Sequence, residues 1–380
     1  MKKLIFRLHL WSAFTLGLYL VVMGLTGTFL VFNREADTAL NPWLVSKNAG
    51  KPPAPFEKIV AAFEREADGK PLTRLRLKSA DGVWGMTLSD SVSVARHIYV
   101  DPHSAQVVGV RTRTSTFNGA VSWLHFNLYY GKTGELVNGI LGLASLVLLG
   151  TGFYLWMPPT LRALRSRVSV KRGASLKKKL HDWHNVFGVF SLGILALTAL
   201  TGAVFVWKKP VENAVFALTG TRDPAKPKIT PRGETKNLSV LFDAGARAIP
   251  GAWVSSVDLP KKPTDPLIVR KDLPDAQQWR GSWSAFVDPY SGQVLRTQNT
   301  RQMPLGRQIL ELNFPLHTGW WGGIWTKILY ALAGLAPLGL FVTGFWKWAA
   351  RKKAAKTNAR NRRAEQNAPN RSDTAISASK

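Results

Sequence analysis

The sequence predicts a membrane protein in which four transmembrane helices form a bundle and two α+β domains lie outside the membrane, arranged as a tandem repeat. Three observations predict this fold class. Four apolar runs approach the length of about 20 residues that a helix needs to cross a bilayer. Basic residues are concentrated in short segments beside those runs. Motifs from one half of the chain recur in the other half at fixed offsets.

The apolar runs that predict the four spans are Leu10–Phe32, Leu136–Trp156, Val186–Trp207 and Gly322–Trp346. Lys327 is the only Lys or Arg within them. Lys2 and Lys3 precede the first run as they would in a signal peptide, but the run is too long and no A-x-A-like cleavage site follows it. We therefore expect the first run to be an uncleaved anchor.

The formal charge is +28, from 51 Lys and Arg against 23 Asp and Glu. Spread evenly over a soluble domain, this charge would indicate nucleic-acid binding. Instead, residues 157–183 hold eight basic residues and one acidic residue, and residues 347–380 hold ten and two. By the positive-inside rule both termini and the 157–183 loop are cytoplasmic, and the long loops face the periplasm. Membrane lipid, and not nucleic acid, is the expected partner.

Cysteine is absent from the sequence. Its absence excludes disulfides, thiolate-bound iron–sulfur clusters and the C-x-x-C-H attachment of c-type haem. No G-x-G-x-x-G motif follows a predicted strand, so the sequence contains no recognisable nucleotide or flavin domain.

The spans repeat in pairs. Leu25–Val31 in the first span (LTGTFLV) matches Leu200–Val206 in the third (LTGAVFV) at an offset of 175. Gly150–Trp156 in the second span (GTGFYLW) matches Val342–Trp348 in the fourth (VTGFWKW) at an offset of 192. Because an even number of spans separates the copies, both have the same orientation, and a pseudo-two-fold axis along the membrane normal relates them.

The long loops repeat as well. Tyr99–Val108 (YVDPHSAQVV) recurs as Phe286–Leu295 (FVDPYSGQVL). Asp-Pro followed by small polar residues is turn chemistry between alternating apolar strands, so each copy predicts a β-hairpin. Apolar residues spaced for one face of a helix precede each hairpin, namely Phe56, Ile59, Val60 and Phe63 in the first loop and Leu238, Leu241 and Phe242 in the second. Each loop therefore predicts a small α+β domain.

These elements divide the chain into eight segments. They are a cytoplasmic N-terminus with the first span at 1–32, a periplasmic domain at 33–133, the second span at 134–156, a basic cytoplasmic loop at 157–183, the third span at 184–207, a second periplasmic domain at 208–321, the fourth span at 322–348 and a disordered basic cytoplasmic tail at 349–380. We expect the protein in the inner membrane of a bacterium.

Four of the seven histidines follow the repeat. The offset of 175 carries His9 onto His184 at the starts of the first and third spans, and the offset of 192 carries His125 onto His317 just before the second and fourth. The axis places each matched pair across a central cavity, where two facing imidazoles suit the axial positions of a haem iron. An interfacial position would explain one histidine, but not two pairs preserved through a duplication. The sequence therefore predicts two non-covalent haem groups with these four histidines as iron ligands.

Three histidines do not follow the repeat. His181 lies one helical turn before His184, so it is an alternative inner ligand, a partner of a haem propionate or an interfacial residue. His97 and His103 lie in the first predicted hairpin, where a surface position and a place beside a substrate site both remain open.

The Leu-His pairs at Leu8-His9, Leu124-His125 and Leu316-His317, the Thr-Gly span ends and the D-P-x-S-x-x-V hairpins together resemble the PepSY-associated transmembrane family over roughly residues 1–350. Within it, the four-span layout resembles the bacterial ferric-siderophore reductases of the ferrioxamine type, which are haem-b inner-membrane proteins. The resemblance implies an oxidoreductase that passes electrons across the membrane to ferric siderophore and releases iron(II). His9 and His184 then map to the inner haem, and His125 and His317 to the outer one.

The electron donor implied by this interpretation is membrane quinol or a separate cytoplasmic reductase. Two other functions remain open from the sequence. PepSY modules were named for peptidase propeptides, so the first is a non-redox membrane protein that regulates a protease or acts as a sensor. The second is a haem electron carrier that serves another periplasmic enzyme. Trp320 and Trp321, which follow His317, are either shields or chelate contacts at the outer haem, or interfacial anchors.

Overall fold

The computed structural model describes residues 1–77, 82–88, 96–272 and 283–366. The helices of this part of the chain are α1 (Lys2–Val31), α2 (Asn33–Leu40), α3 (Phe56–Glu66), α4 (Phe117–Asn127), α5 (Gly131–Trp156), α6 (Leu161–Arg167), α7 (Leu176–Val206), α8 (Lys208–Thr219), α9 (Leu238–Arg247), α10 (Leu305–Glu311), α11 (Asn313–Thr318) and α12 (Gly323–Gln366). Short 3₁₀ helices cover Pro42–Leu44, Arg113–Ser115, Thr300–Gln302 and Trp320–Gly322.

Among the described residues four helices, α1, α5, α7 and α12, are long and apolar enough to cross a membrane, as the sequence predicts. We refer to them as spans 1 to 4. Spans 1 and 3 each pack against both span 2 and span 4, so the four spans form a ring. Glycines allow the close approach: a Cβ on Gly24 of span 1 would lie 2.2 Å from the carbonyl oxygen of Gly334 in span 4.

Eight strands in the described part of the chain form one antiparallel sheet in the order β4-β3-β2-β1-β5-β6-β7-β8. The first loop supplies β1 (Arg74–Leu77), β2 (Trp84–Leu88), β3 (Arg96–Val100) and β4 (Val107–Thr112). The second loop supplies β5 (Trp253–Asp258), β6 (Leu267–Asp272), β7 (Trp283–Val287) and β8 (Val294–Asn299). Each loop thus gives the predicted α+β unit, and the pairing of β1 with β5 joins the two units in a single sheet.

The two units also share one hydrophobic core. Helices α3 and α9 lie on the same face of the sheet, where Phe63, Leu75 and Val257 are fully buried. Phe56 of α3 stacks on Phe242 of α9, with ring centroids 4.3 Å apart and planes 9° apart. Burial of this apolar surface across the junction stabilises the two units as one body.

Both predicted hairpins are confirmed, since β3 pairs with β4 and β7 with β8 around the Asp-Pro turns. In the first turn Asp101 Oδ1 accepts the backbone N–H groups of His103 and Ser104, each at 2.9 Å. In the second, Asp288 Oδ1 accepts the backbone N–H of Tyr290 at 2.8 Å. The aspartate side chain therefore closes both turns, which is why the motif recurs.

The prediction of a disordered tail from residue 349 is wrong for residues 349–366. The helix of span 4 continues through them to Gln366. This segment contains many Ala, Lys and Arg residues and no Gly or Pro, and such residues propagate a helix once it has started. The rest of the predicted tail, 367–380, lies outside the described residues.

An ion pair on β4 fixes the sheet to span 1. The guanidinium of Arg111 donates to both carboxylate oxygens of Asp37 at 3.0 Å, and its carbon lies 4.7 Å from the ring centroid of Tyr99. The side chain of Asp37, on α2 directly after span 1, is 3% exposed, and that of Arg111 is 11% exposed. Lys327 of span 4, the one basic residue within the predicted apolar runs, pairs with Glu35 of the same α2 at 2.5 Å.

We predict that Asp37→Asn destabilises the protein. The substitution leaves Arg111 desolvated without its counter-ion, so the free energy of unfolding should fall by about 3 kcal/mol. Thermal unfolding of the detergent-solubilised protein measures the loss. Asp68→Asn is the control, because Asp68 is 65% exposed in its pair with Arg96, and its loss should change the free energy by about 0.5 kcal/mol or less. Equal unfolding temperatures for the two variants would contradict the anchoring role.

Candidate functional site

Each of the four histidines that follow the repeat is hydrogen-bonded to a threonine of another span. The contacts join a histidine Nδ1 to a threonine Oγ1. Their lengths are 3.1 Å for His9 and Thr151, 2.8 Å for His125 and Thr26, 2.9 Å for His184 and Thr343, and 3.0 Å for His317 and Thr201. The same interaction thus occurs at four places related by the duplication.

The contacts are reciprocal within each repeat. In the first repeat, His9 on span 1 contacts Thr151 on span 2, while His125, on the α4 helix that precedes span 2, contacts Thr26 on span 1. Spans 3 and 4 repeat the pattern with the other two histidines. The two contacts of a repeat lie at opposite ends of its spans, so they fix both the pairing and the register of the two helices.

The threonine hydroxyls determine which imidazole nitrogen carries the hydrogen. Each hydroxyl oxygen lies close to the carbonyl four residues earlier in its own helix, at 2.7 Å for Thr26, 2.9 Å for Thr151, 2.6 Å for Thr201 and 2.6 Å for Thr343. A carbonyl only accepts, so the single hydroxyl hydrogen is donated to it. The threonine oxygen must then accept from the histidine Nδ1–H. In the neutral imidazole each Nε2 then keeps a lone pair, which is the form that binds a metal.

The glycine after each threonine makes room for the imidazole ring. A Cβ on the glycine would lie close to the Cε1 atom of the histidine, at 3.3 Å for Gly27 and His125, 3.1 Å for Gly152 and His9, 3.3 Å for Gly202 and His317, and 3.4 Å for Gly344 and His184. A larger side chain would push the ring away. We call each Thr-Gly pair that holds a histidine ring in this way a histidine seat.

His125 and His317 come together at the end of the bundle nearest the sheet. Their ring centroids are 6.4 Å apart, with planes inclined by 62°. A metal–imidazole bond is about 2 Å long, so two imidazoles bound to opposite sides of one ion have ring centroids about 6 Å apart once the ring radii are added. The spacing fits two ligands of one metal centre.

His9 and His184 line a cavity between the four spans at the other end of the bundle. The cavity has a volume of about 600 Å³, which lies within the usual range for small-molecule and cofactor sites. His181 lines the same cavity, and its Nε2 lies 3.4 Å from Nδ2 of Asn185 rather than in a Thr-Gly seat. The seat therefore distinguishes His184 from His181.

The two remaining histidines lie in the sheet domain, away from the seats. His97 is on β3 and its Nδ1 is 2.9 Å from Oγ1 of Thr87. His103 is in the turn between β3 and β4. The structure brings neither into contact with the paired histidines.

Aromatic rings connect His317 to the tryptophans that follow it. The ring centroid of Phe205 is 5.3 Å from that of His317, Phe314 is 6.5 Å from Phe205, and Trp320 is 5.7 Å from Phe314. Trp321 instead donates its Nε1–H to the hydroxyl of Tyr330 at 3.3 Å. Trp320 is thus linked to the His125–His317 pair through two phenylalanine rings.

The four seated histidines form two pairs, His125 with His317 and His9 with His184. Within the described ranges no group of three or more His, Cys, Asp or Glu side chains is arranged to hold a metal ion. A pair of imidazoles suits a metal cofactor whose own macrocycle supplies the equatorial ligands, so that the protein supplies two axial ones.

The family model for the PepSY-associated TM region matches residues 6–351. The chain belongs to the PepSY-associated transmembrane family. The match confirms the resemblance, and with the four spans and the sheet it confirms the predicted fold class. All four seats lie within the matched residues. A comparison with curated proteins found no match.

The histidines are identifiable from the sequence, but the threonines and glycines that hold them are not. The signal is present, because each span contains one Thr-Gly pair opposite a histidine: Thr26-Gly27, Thr151-Gly152, Thr201-Gly202 and Thr343-Gly344. In the sequence these pairs only mark the repeat. Their role depends on which spans are neighbours, and that information comes from the packed bundle.

We predict that Gly202→Val lowers the stability of the protein, whereas Gly193→Val on the same span does not. Valine at 202 would displace the His317 ring and break its bond to Thr201, an overpacking cost of about 1–3 kcal/mol. A Cβ on Gly193 meets nothing within 4 Å, which makes that variant a matched control. Thermal unfolding in detergent compares the two. If Gly193→Val were as unstable as Gly202→Val, the loss of stability would come from β-branching in the helix and not from the seat.

Proposed function

We propose that the chain is a haem-b reductase of the bacterial inner membrane that carries electrons to ferric siderophore in the periplasm and releases iron(II). The observation that carries the proposal is the fourfold histidine seat. It presents four metal-ready imidazoles as two pairs at opposite ends of a membrane-spanning bundle. Neither a protease regulator nor a sensor requires this arrangement.

The residues present fit two haem groups. His125 and His317 would hold one between them, supported by their 6.4 Å spacing, and His9 and His184 would hold the other in the 600 Å³ cavity. Bound haem supplies reversible one-electron chemistry, which none of the chain's own side chains provides.

The chain's own residues prepare the ligands. Each threonine accepts the Nδ1–H of its histidine, which fixes the tautomer, orients the ring and raises the basicity of Nε2. Leu148, Leu195 and Phe341 line the cavity around His9 and His184 and keep it apolar. An apolar surrounding excludes water and favours retention of a planar hydrophobic group that has no covalent attachment.

The proposed substrate follows from the resemblance to ferrioxamine-type reductases and from the chemistry of iron. Siderophore oxygens are hard ligands that favour iron(III) and hold iron(II) more weakly. One electron reduces one iron(III) to iron(II), and the siderophore is released intact. The donor on the other side of the membrane is quinol or a separate reductase.

The proposed orientation rests on charge. The segment between spans 2 and 3 includes the basic helix α6, and span 4 continues into a basic helical extension after Lys347. Both segments connect to the ends of the spans that are farthest from the sheet. The positive-inside rule then assigns those ends to the cytoplasm and the sheet to the periplasm.

We predict that single substitutions remove one haem each. In the purified protein, His125→Ala or His317→Ala should abolish the low-spin b-type absorption of one haem and leave half of the pyridine-extractable haem. His184→Ala should remove the other haem, while His181→Ala, the matched control one turn away, should keep most of it because His181 has no Thr-Gly seat. A colourless wild-type preparation would favour the non-redox regulator. Loss of both haems from one substitution would contradict the pairwise assignment.

We predict that ferric siderophore reoxidises the reduced protein at the His125–His317 end. The protein is reduced with dithionite, freed of excess reductant and mixed anaerobically with a ferric siderophore, and the haem absorption is followed with time. Rapid reoxidation in the wild type and its loss in His317→Ala are expected. If the wild-type haem stays reduced with every ferric chelate, the protein is an electron carrier to another periplasmic enzyme and not a ferric reductase.

A further inference from the structure

The face of the sheet opposite α3 and α9 is polar at its centre. At the two edges, chain segments that leave the spans contact this face: Asp37 pairs with Arg111 of β4, and the carbonyl of Ala225 accepts from Arg296 of β8. Between them, around the β1–β5 junction, lies a pocket of about 330 Å³. The pocket is therefore on the face of the sheet that the segments leaving spans 1 and 3 contact.

Basic side chains outnumber acidic ones around this pocket. The lining includes Arg74, Arg76, Lys226 and Lys261, against Asp258 and Asp265. Asp258 is shared between two cations: Arg74 donates to it with Nε and, at 2.8 Å, with Nη2, and Arg270 donates with Nη2 at 3.0 Å. Burial acts to raise the pKa of Asp258, but its bonds to Arg74 and the charge of Arg270 outweigh burial and lower it. Asp258 is therefore ionised and already paired.

Among the described residues Arg76 forms no direct bond to a carboxylate, although the charge of Asp258 acts on it. In the antiparallel β1–β5 pair, Arg74 lies opposite Asp258, but Arg76 lies opposite Ser256. No ion pair involves Arg76 within the part of the chain that the structure describes. Desolvation, and then the nearby charges of Arg74 and Arg270, lower the pKa of Arg76, although an arginine stays protonated at neutral pH. Its planar donors are available to an external anion.

Arg270 adds a second unused donor. Its Nη1 donates to Ser284 at 3.1 Å and its Nη2 to Asp258, but its Nε–H is buried and has no hydrogen-bond partner among the described residues. A buried donor without an acceptor is costly unless a ligand supplies the acceptor. Arg76 on β1 and Arg270 on β6 lie on the same face of the sheet, on either side of β5, since both are opposite Ser256 of β5.

We propose that Arg76 is the principal ligand for the carboxylate groups of an anionic ferric chelate in this pocket, supported by the charges of Arg74, Lys226 and Lys261 in the lining and of Arg270 beside it. Guanidinium groups pair with carboxylates through two parallel hydrogen bonds, which gives both affinity and orientation. The assignment of a ferric chelate rests on the proposed reductase function, while the preference for carboxylates rests on the arginines alone. The substrate class is then a carboxylate-bearing chelate such as ferric citrate, which departs from the trihydroxamate that the resemblance to ferrioxamine-type reductases alone would imply.

Calorimetry on the haem-loaded protein in nanodiscs of zwitterionic lipid tests this proposal. Ferric citrate should bind the wild type, and Arg76→Gln should weaken its binding at least tenfold. Arg65→Gln is the matched control, because Arg65 is an exposed arginine on α3, on the opposite side of the sheet, and it should bind as the wild type does. Equal affinities for wild type and Arg76→Gln would overturn the site, as would a neutral ferric trihydroxamate that loses affinity to the same extent.

Two further comparisons are needed. One identifies the source of the anion, and the other distinguishes failure of this proposal from failure of the reductase proposal. Iron-free citrate that binds as tightly as ferric citrate would overturn the chelate assignment, and so would competition by phosphatidylglycerol in the discs, which would make the ligand a lipid headgroup.

Binding does not require electron transfer. Arginine-dependent binding without haem reoxidation would therefore reject the reductase alone, and reoxidation unaffected by Arg76→Gln would reject the carboxylate site alone.

Discussion

A threonine hydroxyl has one hydrogen, and in this protein that hydrogen is donated four times to a backbone carbonyl of the same helix. The hydrogen bonding of the paired histidines depends on this donation. The hydroxyl oxygen must accept from Nδ1, so Nε2 is left as a ligand, and a glycine must follow so that the ring reaches the threonine. Each span carries a Thr-Gly pair at one end, and the histidine at or just before its other end is held by the neighbouring span. The two spans of a repeat are therefore fixed in register.

Neither half of the duplication contains both histidines of a pair. Each histidine is held within its own repeat, but each pair takes one histidine from the first repeat and one from the second. The sheet follows the same logic, since β1 and β5 would be exposed edge strands if they did not pair with each other. The stacking of Phe56 on Phe242 closes the core over the same junction. Assembly of the halves thus creates both the metal-ready pairs and the continuous sheet.

Features that depend on local pattern were predictable from the sequence. The spans follow from apolar length, the hairpins from Asp-Pro turns and the histidine pairs from two fixed offsets. The β1–β5 pairing was not, because the offset of 182 that relates Leu75 to Val257 shows that the two positions are equivalent in the repeat but not that equivalent strands pair with each other. The threonine role was hidden for the same reason, as a Thr-Gly pair in an apolar helix is ordinarily a packing motif. The helical tail was missed because a basic, polar composition was interpreted as disorder, although its residues have high helix propensity.

The two repeats differ at the β1–β5 junction, where exact symmetry would give two identical halves. About the Leu75–Val257 pair, the pseudo-two-fold relation exchanges Arg76 with Asp258, residues of opposite charge. A perfectly symmetric junction would have placed an arginine or an aspartate at both positions. The histidine seats, by contrast, keep the threonine, the glycine and the histidine that they hold in all four copies. A metal centre with two identical axial ligands tolerates symmetry, whereas a site for an irregular small molecule on the axis benefits from losing it. The pattern of divergence therefore agrees with a symmetric cofactor at the proposed haem sites and an irregular ligand at the proposed anion site.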